Sequence, residues 1–213
     1  MKTIMCYGDS NTHGFNPANG LRYPRHVRWP GVLSDLLGKD YHVIEEGCNG
    51  RTTIYTDPLE PWKNGKFYLK PCLNTHKPID LVILMLGSND LKKFFTNGAA
   101  QAADGAGELA DEILEFLETK QGYRPQILLV SPIEIGPAVK KSFFKGQFDI
   151  TAVERSKGFP KEYARVAAEK GVLFFNAAEY AKASDIDGLH MMPEEHRKLA
   201  EAFYHVITEE IFP

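Results

Sequence analysis

Four short stretches of this sequence carry side chains suited to nucleophilic chemistry: GDSN at Gly8–Asn11, CNG at Cys48–Gly50, GSND at Gly87–Asp90 and DGLH at Asp187–His190. Ser10 offers a hydroxyl nucleophile, which needs a base, and the base needs a group to orient it. Asp187 and His190 supply both, three positions apart, a spacing that in a helical turn sets them on one side. The carboxylate would then accept the Nδ1–H of His190 and leave Nε2 free to take the Ser10 proton. Asn89 brings a side-chain amide able to donate to a developing oxyanion. Beside Asn49, Gly50 lets backbone N–H groups approach a substrate closely.

Taken alone, Gly-Asp-Ser is equally the sequence of a turn or a helix cap, and such a cap can also seat an anion. The stretch GDSNTHG is not a P-loop, because it lacks the Gly-Lys-Ser/Thr ending. Nor is it a G-x-S-x-G elbow, since Thr12 stands where the second glycine belongs. What matters is the position of these groups on the elements that carry them. Thr3 to Tyr7 is a short apolar run halted by Gly8, Asp9 and Ser10, the pattern of a buried strand. Tyr41 to Glu45 reads as a second strand, followed by the loop EGCNGRTT (Glu46 to Thr53). Leu81 to Leu86 is almost wholly apolar, as expected of a central parallel strand covered on both faces. Ile127 to Val130 and Val172 to Asn176 complete five strands.

Between them the pattern predicts helices over Trp29 to Leu37, Lys66 to Thr75, Ala99 to Thr119, Ala152 to Lys170 and Pro193 to Ile211. Pro30 is acceptable in the first turn of its helix and Gly38 stands near its stop. Leu109, Ile113, Leu114, Phe116 and Leu117 form the apolar stripe of the long helix. Strands alternating with helices argue an α/β fold with a parallel sheet. In such a sheet ligands sit beyond the carboxyl ends of the strands, where Ser10, Asn49, Gly50 and Asn89 all fall. Ser131 to Thr151 is irregular, and a segment this long in a compact domain is expected to be functional or to make contacts.

The 213 residues suit one α/β domain, expected over 1–213. A net charge of −3 gives no electrostatic reason to expect nucleic acid as a partner. Cys6, Cys48 and Cys72 are an odd set without paired spacing, which points to a reducing compartment. No signal-peptide pattern and no apolar run of membrane-spanning length is present, so a cytoplasmic location without a membrane partner is expected.

In order and at plausible spacings, GDSN, Gly50, GSND and DGLH resemble the four blocks of the SGNH or GDSL hydrolases. Within that family GRTT (Gly50 to Thr53) and DGLHMMPEEHRKLAEA (Asp187 to Ala202) look most like the arylesterase and lysophospholipase-L1-like group. Asn11 stands where the family's name motif has leucine, and Ser88 where threonine is common; neither removes a catalytic group. The resemblance implies a flavodoxin-like sandwich of helices on about five parallel strands in order 2-1-3-4-5, with no cofactor. It implies Ser10 as nucleophile, His190 as general base and acid, and Asp187 as its orienter. The oxyanion hole would come from the N–H groups of Ser10 and Gly50 and the Asn89 side chain. The implied activity is a serine esterase acting on small acetyl-type or aryl esters through an acyl-serine, with acyl transfer to an alcohol as a variant. The alternatives are a deacetylase of acetylated sugars, a thioesterase or lysophospholipase and, from another class, a non-catalytic ligand-binding protein.

Other residues have plainer readings. His196 lies on the final helix without a third ligand in view, so it reads as a surface or packing histidine rather than a metal ligand, and no metal is expected. Cys48 reads as a passive wall of the site, and Arg28 with Trp29 as the anchor of a helix start. Arg51, Thr52 and Thr53 either shape the pocket or build a turn. Phe143, Phe144 and Phe148 suit either an acyl pocket or a subunit contact. Relatives in the arylesterase group are often oligomers, so a homo-oligomer with 131–151 near its interface is expected.

Overall fold

The computed structural model describes residues 1–213. Its five strands are β1 (Lys2–Gly8), β2 (Tyr41–Gly47), β3 (Leu81–Met85), β4 (Gln126–Ser131) and β5 (Leu173–Asn176). They pair in parallel in the order β2-β1-β3-β4-β5. Because strand side chains alternate, each central strand feeds two cores. Met5, Tyr7, Val82, Leu84, Ile127 and Leu129 pack with the helices α3 (Gly65–His76), α4 (Ala99–Gln121) and α6 (Phe159–Lys170). Ile4, Cys6, Leu81, Ile83, Leu128 and Val130 pack with α2 (Trp29–Leu37) and α7 (Pro193–Val206) on the other face. Burial on both faces explains why these strands read as continuous apolar runs.

The register sets Gly8 beside both Gly47 and Met85, so the loops leaving β1, β2 and β3 start at one level of the sheet. A single helical turn, α1 (Ser10–His13), follows β1 directly. A Cβ on Gly47 would run into the backbone of Thr12 and His13, so glycine at the end of β2 is what lets α1 cross there.

Three elements differ from the expected pattern. The helix expected over Ala152 to Lys170 is two, α5 (Ile150–Ser156) and α6, broken at Lys157 and Gly158. Pro160 in the first turn of α6 has no N–H to continue the ladder, so the helix restarts there. The last helix is regular only to Val206, and Ile207–Ile211 form a wider π turn. The irregular segment holds two 3₁₀ turns, Pro137–Lys141 and Phe143–Gly146, before α5 begins. No helix is long and apolar enough to cross a membrane.

Candidate active site

Ser10 is the first residue of α1, immediately after the Asp9 cap. The Asp9 carboxylate accepts from the Asn11 N–H at 2.9 Å. Gly14, in the left-handed region at φ +84°, closes the turn by donating to the Ser10 carbonyl at 2.9 Å. Asp9 is fully buried, and burial pushes its carboxyl up to about 6 against the pull of the Asn11 N–H and the nearby His190.

The Ser10 hydroxyl donates to His190 Nε2 at 2.9 Å, and His190 Nδ1 donates to Asp187 Oδ2 at 2.6 Å. All three side chains are buried. Asp187 and His190 do not lie in a helix: the chain turns at Gly188, φ +72°. The expected pairing forms through this tighter turn, because Asp187 Oδ1 also accepts from the N–H groups of Leu189 (2.9 Å) and His190 (3.0 Å). Ser184 adds a hydroxyl donor to the same oxygen at 3.0 Å. Burial alone would raise the Asp187 carboxyl, but the hydrogen bond and charge of His190 hold it below the ordinary carboxylate range. The ring of Phe15 lies 4.2 Å from that of His190 and restricts it from the side.

Asn11 ties the two halves of this arrangement together. Its amide donates to the Leu189 carbonyl at 3.0 Å, and its Oδ1 accepts from the Met191 N–H at 3.0 Å. The residue after Ser10 thus grips the backbone on both sides of His190. The sequence presents Asn11 only as a departure from a motif, since a clamp spanning 180 residues has no local signature.

Cys48–Arg51 form a β-turn closed by the Arg51 N–H on the Cys48 carbonyl at 3.1 Å, with Gly50 at φ +79° as its third residue. The Gly50 N–H donates to no protein acceptor. Asn89 Nδ2 donates one hydrogen to the Arg51 carbonyl at 3.1 Å, which fixes the amide and leaves its second hydrogen available. Asp90 holds the two loops in register: the Thr53 N–H reaches both of its oxygens, at 3.2 and 3.1 Å, and the Thr53 hydroxyl pairs with Oδ1. Burial pushes Asp90 up to about 7 despite these donors. Asp90 and Ser184 are supports that sequence reasoning did not single out.

Arg51 donates to the carbonyls of Gly8 (2.9 Å) and Glu46, with its guanidinium 4.2 Å from the centre of the Tyr7 ring. Together with Thr52 and Thr53 it therefore builds the loop rather than the pocket surface. Arg28 grips Glu45 through two nitrogens and precedes α2, whose Trp29 is buried, so this pair does anchor a helix start. His196 is fully buried; its Nδ1 accepts from the Trp29 N–H at 3.3 Å, and burial pushes the imidazole down to about 3.

The site opens into a cavity of about 110 Å³ whose lining includes Ser10, Asn49, Gly50, Ser88, Asn89 and His190. Its apolar lining is Phe15, Phe144, Phe148 and Leu189; Glu60, Lys63, Lys92 and Gln147 supply the rest of its polar lining with Asn11. Lys92 is paired with Asp57 at 2.6 Å in a buried ion pair, and Lys63 with Glu60. Both ammonium groups therefore meet carboxylates of the protein. Of the three phenylalanines, Phe144 and Phe148 line this cavity, whereas Phe143 is 92% exposed. Cys48 is partly buried beside the Gly50 turn and outside the cavity lining.

The GDSL-like Lipase/Acylhydrolase family profile matches residues 6–198. No curated protein sequence gives a significant match. Among solved structures, Est24, a carbohydrate acetylesterase from Sinorhizobium meliloti, is 35% identical, with 98% of this chain and 99% of that one covered and a TM-score of 0.91. The M. smegmatis aryl esterase is 35% identical over 98% of this chain and 99% of its own, with a TM-score of 0.88. A further crystal structure, 42% identical, covers 100% of both chains at a TM-score of 0.93. The matched profile, the sheet order and the four sequence blocks agree: the chain belongs to the GDSL-like lipase/acylhydrolase family, of SGNH type, and is a carboxylic ester hydrolase.

Proposed function

We propose that the protein hydrolyses small, neutral acyl esters through an acyl-Ser10 intermediate, with residues 1–213 acting as one hydrolase domain. The observation that carries this reading is the hydrogen-bonded series Ser10 Oγ, His190 Nε2, His190 Nδ1, Asp187 Oδ2 at the edge of a small cavity. His190 takes the Ser10 proton as Oγ attacks the ester carbonyl. The oxyanion receives the N–H groups of Ser10 and Gly50 and the second amide hydrogen of Asn89. His190 then protonates the leaving alcohol, and water, activated by the same imidazole, releases the acid; an alcohol in its place gives acyl transfer.

A cavity of about 110 Å³ falls well below the roughly 300–1,000 Å³ of sites for drug-sized ligands, which supports acetyl-type acyl groups. The internally paired lysines leave no unopposed charge to draw an anionic substrate, which supports a neutral ester. A second reading, deacetylation of acetylated sugars, is supported by the hydrogen-bonding lining of Asn49, Glu60, Lys63 and Gln147 around the apolar wall. An activated chromogenic acetate should give a burst of product equal to the enzyme present, lost in Ser10→Ala. Turnover at the wild-type rate in that variant would remove the mechanism. A panel of acyl lengths and acetylated sugars then separates the two readings.

The exposed Phe143 lies in a shallow surface groove with Phe15, Phe144 and Ile186, and we infer that 131–151 contributes to a homo-oligomer contact next to the pocket. Sedimentation showing a monomer at micromolar concentration would remove that inference. Three free cysteines suit a reducing, cytoplasmic setting.

A further inference from the structure

Outside the pocket, three groups from two rigid elements converge on one point. Cys72 and His76 are four residues apart on α3 and therefore project from the same face of the helix. Glu46, next to last in β2, points to that face of the sheet, two residues beyond the core residue Ile44. The Cys72 thiol sulfur, a His76 ring nitrogen and a Glu46 carboxylate oxygen all lie within 4.8 Å of one another. His76 Nε2 is 2.7 Å from Glu46 Oε1. Met5 Sδ lies 3.7 Å from the Cys72 sulfur, so the buried side of the cluster is soft and polarisable. None of these four residues lines the Ser10 cavity.

We propose that Cys72, His76 and Glu46 bind one Zn²⁺-class dication. Thiolate, imidazole and carboxylate are the ligand types this cation selects, and three protein ligands leave a fourth tetrahedral position for water. Ligands about 2.0–2.3 Å from a tetrahedral ion stand roughly 3.3–3.8 Å apart, against 2.7 Å for the His76–Glu46 pair and no more than 4.8 Å for any pair of the three. An entry path exists: Cys72 is buried, but the His76 and Glu46 side chains are 27% and 17% exposed. Arg51, which donates to the Glu46 carbonyl, adds a positive charge beside the cluster. The Glu46 carboxylate and the Cys72 thiolate supply two negative charges against it. On binding, the cation replaces the Cys72 thiol proton, which passes to solvent; the imidazole binds through its neutral Nε2, and nothing is oxidised or reduced. Glu46 lies two residues before the Cys48–Arg51 turn that carries Gly50, so an occupied site would brace the turn that presents the Gly50 N–H. The binding itself does not depend on the esterase reading.

The test is titration of the full-length, chelator-treated protein with Co²⁺, followed by Zn²⁺. One equivalent of Co²⁺ should produce a thiolate-to-cobalt charge-transfer band with the visible bands of a tetrahedral ion, and Zn²⁺ should abolish both. Cys72→Ser should remove the charge-transfer band, and Cys48→Ser should leave it unchanged. His76→Gln and Glu46→Gln, at partly exposed positions where the fold is not at risk, should each weaken binding by at least about 10-fold. Absence of the band in the wild-type chain overturns the proposal. So does a band that survives Cys72→Ser, or affinity unchanged in both glutamine variants.

Discussion

Asn89 donates one amide hydrogen to the Arg51 carbonyl and holds the other over the cavity. Asn89→Ala should therefore lower kcat by about 10²–10³-fold with much less change in KM, the signature of a donor used in the transition state. Steady-state kinetics on one activated ester checks this; an effect confined to KM would assign Asn89 to ground-state binding. Asp187→Asn presents a sharper case. Asp187 accepts from His190 Nδ1 and three further donors, and an amide in its place can face the ring with its NH₂ and hold the wrong tautomer. A kcat loss of about 10⁴-fold is expected, by analogy with another serine triad. Asn11 touches no reacting atom and acts through its grip on Leu189 and Met191. Asn11→Ala should cost up to about 10²-fold in kcat through misplacement of His190, with a folded circular dichroism spectrum retained. Wild-type turnover in that variant would show that the Asp187 bond and the Phe15 contact fix the ring without it.

At the scale of elements, the site depends on two close approaches. Gly47 lets α1 cross the end of β2, and Gly8, its register partner, has Thr12 and the Met85 carbonyl where a Cβ would go. Gly47→Ala must displace backbone rather than a flexible side chain, so it should destabilise the fold by about 1–3 kcal/mol or more in urea unfolding. Gly50→Ala differs in kind: its neighbour is the flexible Lys63 chain, 2.9 Å from the added Cβ at Nζ, and the cost arises mainly from φ +79°. Its effect should appear more in kcat than in stability. The strands and most helices were legible because burial on one or two faces writes period-two and period-3.6 patterns into the chain, and α2 runs over the Trp29–Leu37 span expected of it. The span expected as one helix, Ala152 to Lys170, runs across Gly158 and Pro160, where α5 has ended and α6 begins, because a proline costs a helix least in its first turn and so marks a restart. The side chains of the site were legible because chemistry restricts them to few residue types. Asp90 and Asn11 support them through long-range bonds that no local pattern encodes.

For the molecule as a whole, three buried titrating groups bear with different signs on how stability responds to pH. Asp9 and Asp90 are raised to about 6 and about 7, so the native state holds their protons where the unfolded chain has lost them. Their contributions are full below about pH 4 and are lost as pH rises to those values. His196, pushed down to about 3, has the opposite sign: it favours the fold above about pH 6.5 and loses that contribution on acidification. Between about pH 4 and 6 the two aspartates therefore lower stability as pH rises, and His196 raises it. Asp90→Asn should shift the change of stability with rising pH in the positive direction, and His196→Gln should shift it in the negative direction. Urea midpoints at pH 4.5 and 5.5 for the three proteins check both signs; an unchanged slope in Asp90→Asn would contradict its assignment as a buried neutral acid.

The hydrogen bond between Ser10 and His190 joins the first strand's end to the turn before the last helix, 180 residues away. With every strand pairing parallel, no hairpin brings any part of the chain home early, and β1 waits in mid-sheet for partners on both sides. During synthesis on the ribosome, Ser10, the proposed nucleophile, therefore emerges long before His190, its proposed base, and a nascent chain ending before His190 carries a serine without that partner. On the proposed mechanism such a chain forms no acyl-serine while it is still incomplete. Turnover becomes a reporter of completed folding: in refolding from denaturant, esterase activity should return with the slowest phase and never ahead of the far-ultraviolet helix signal.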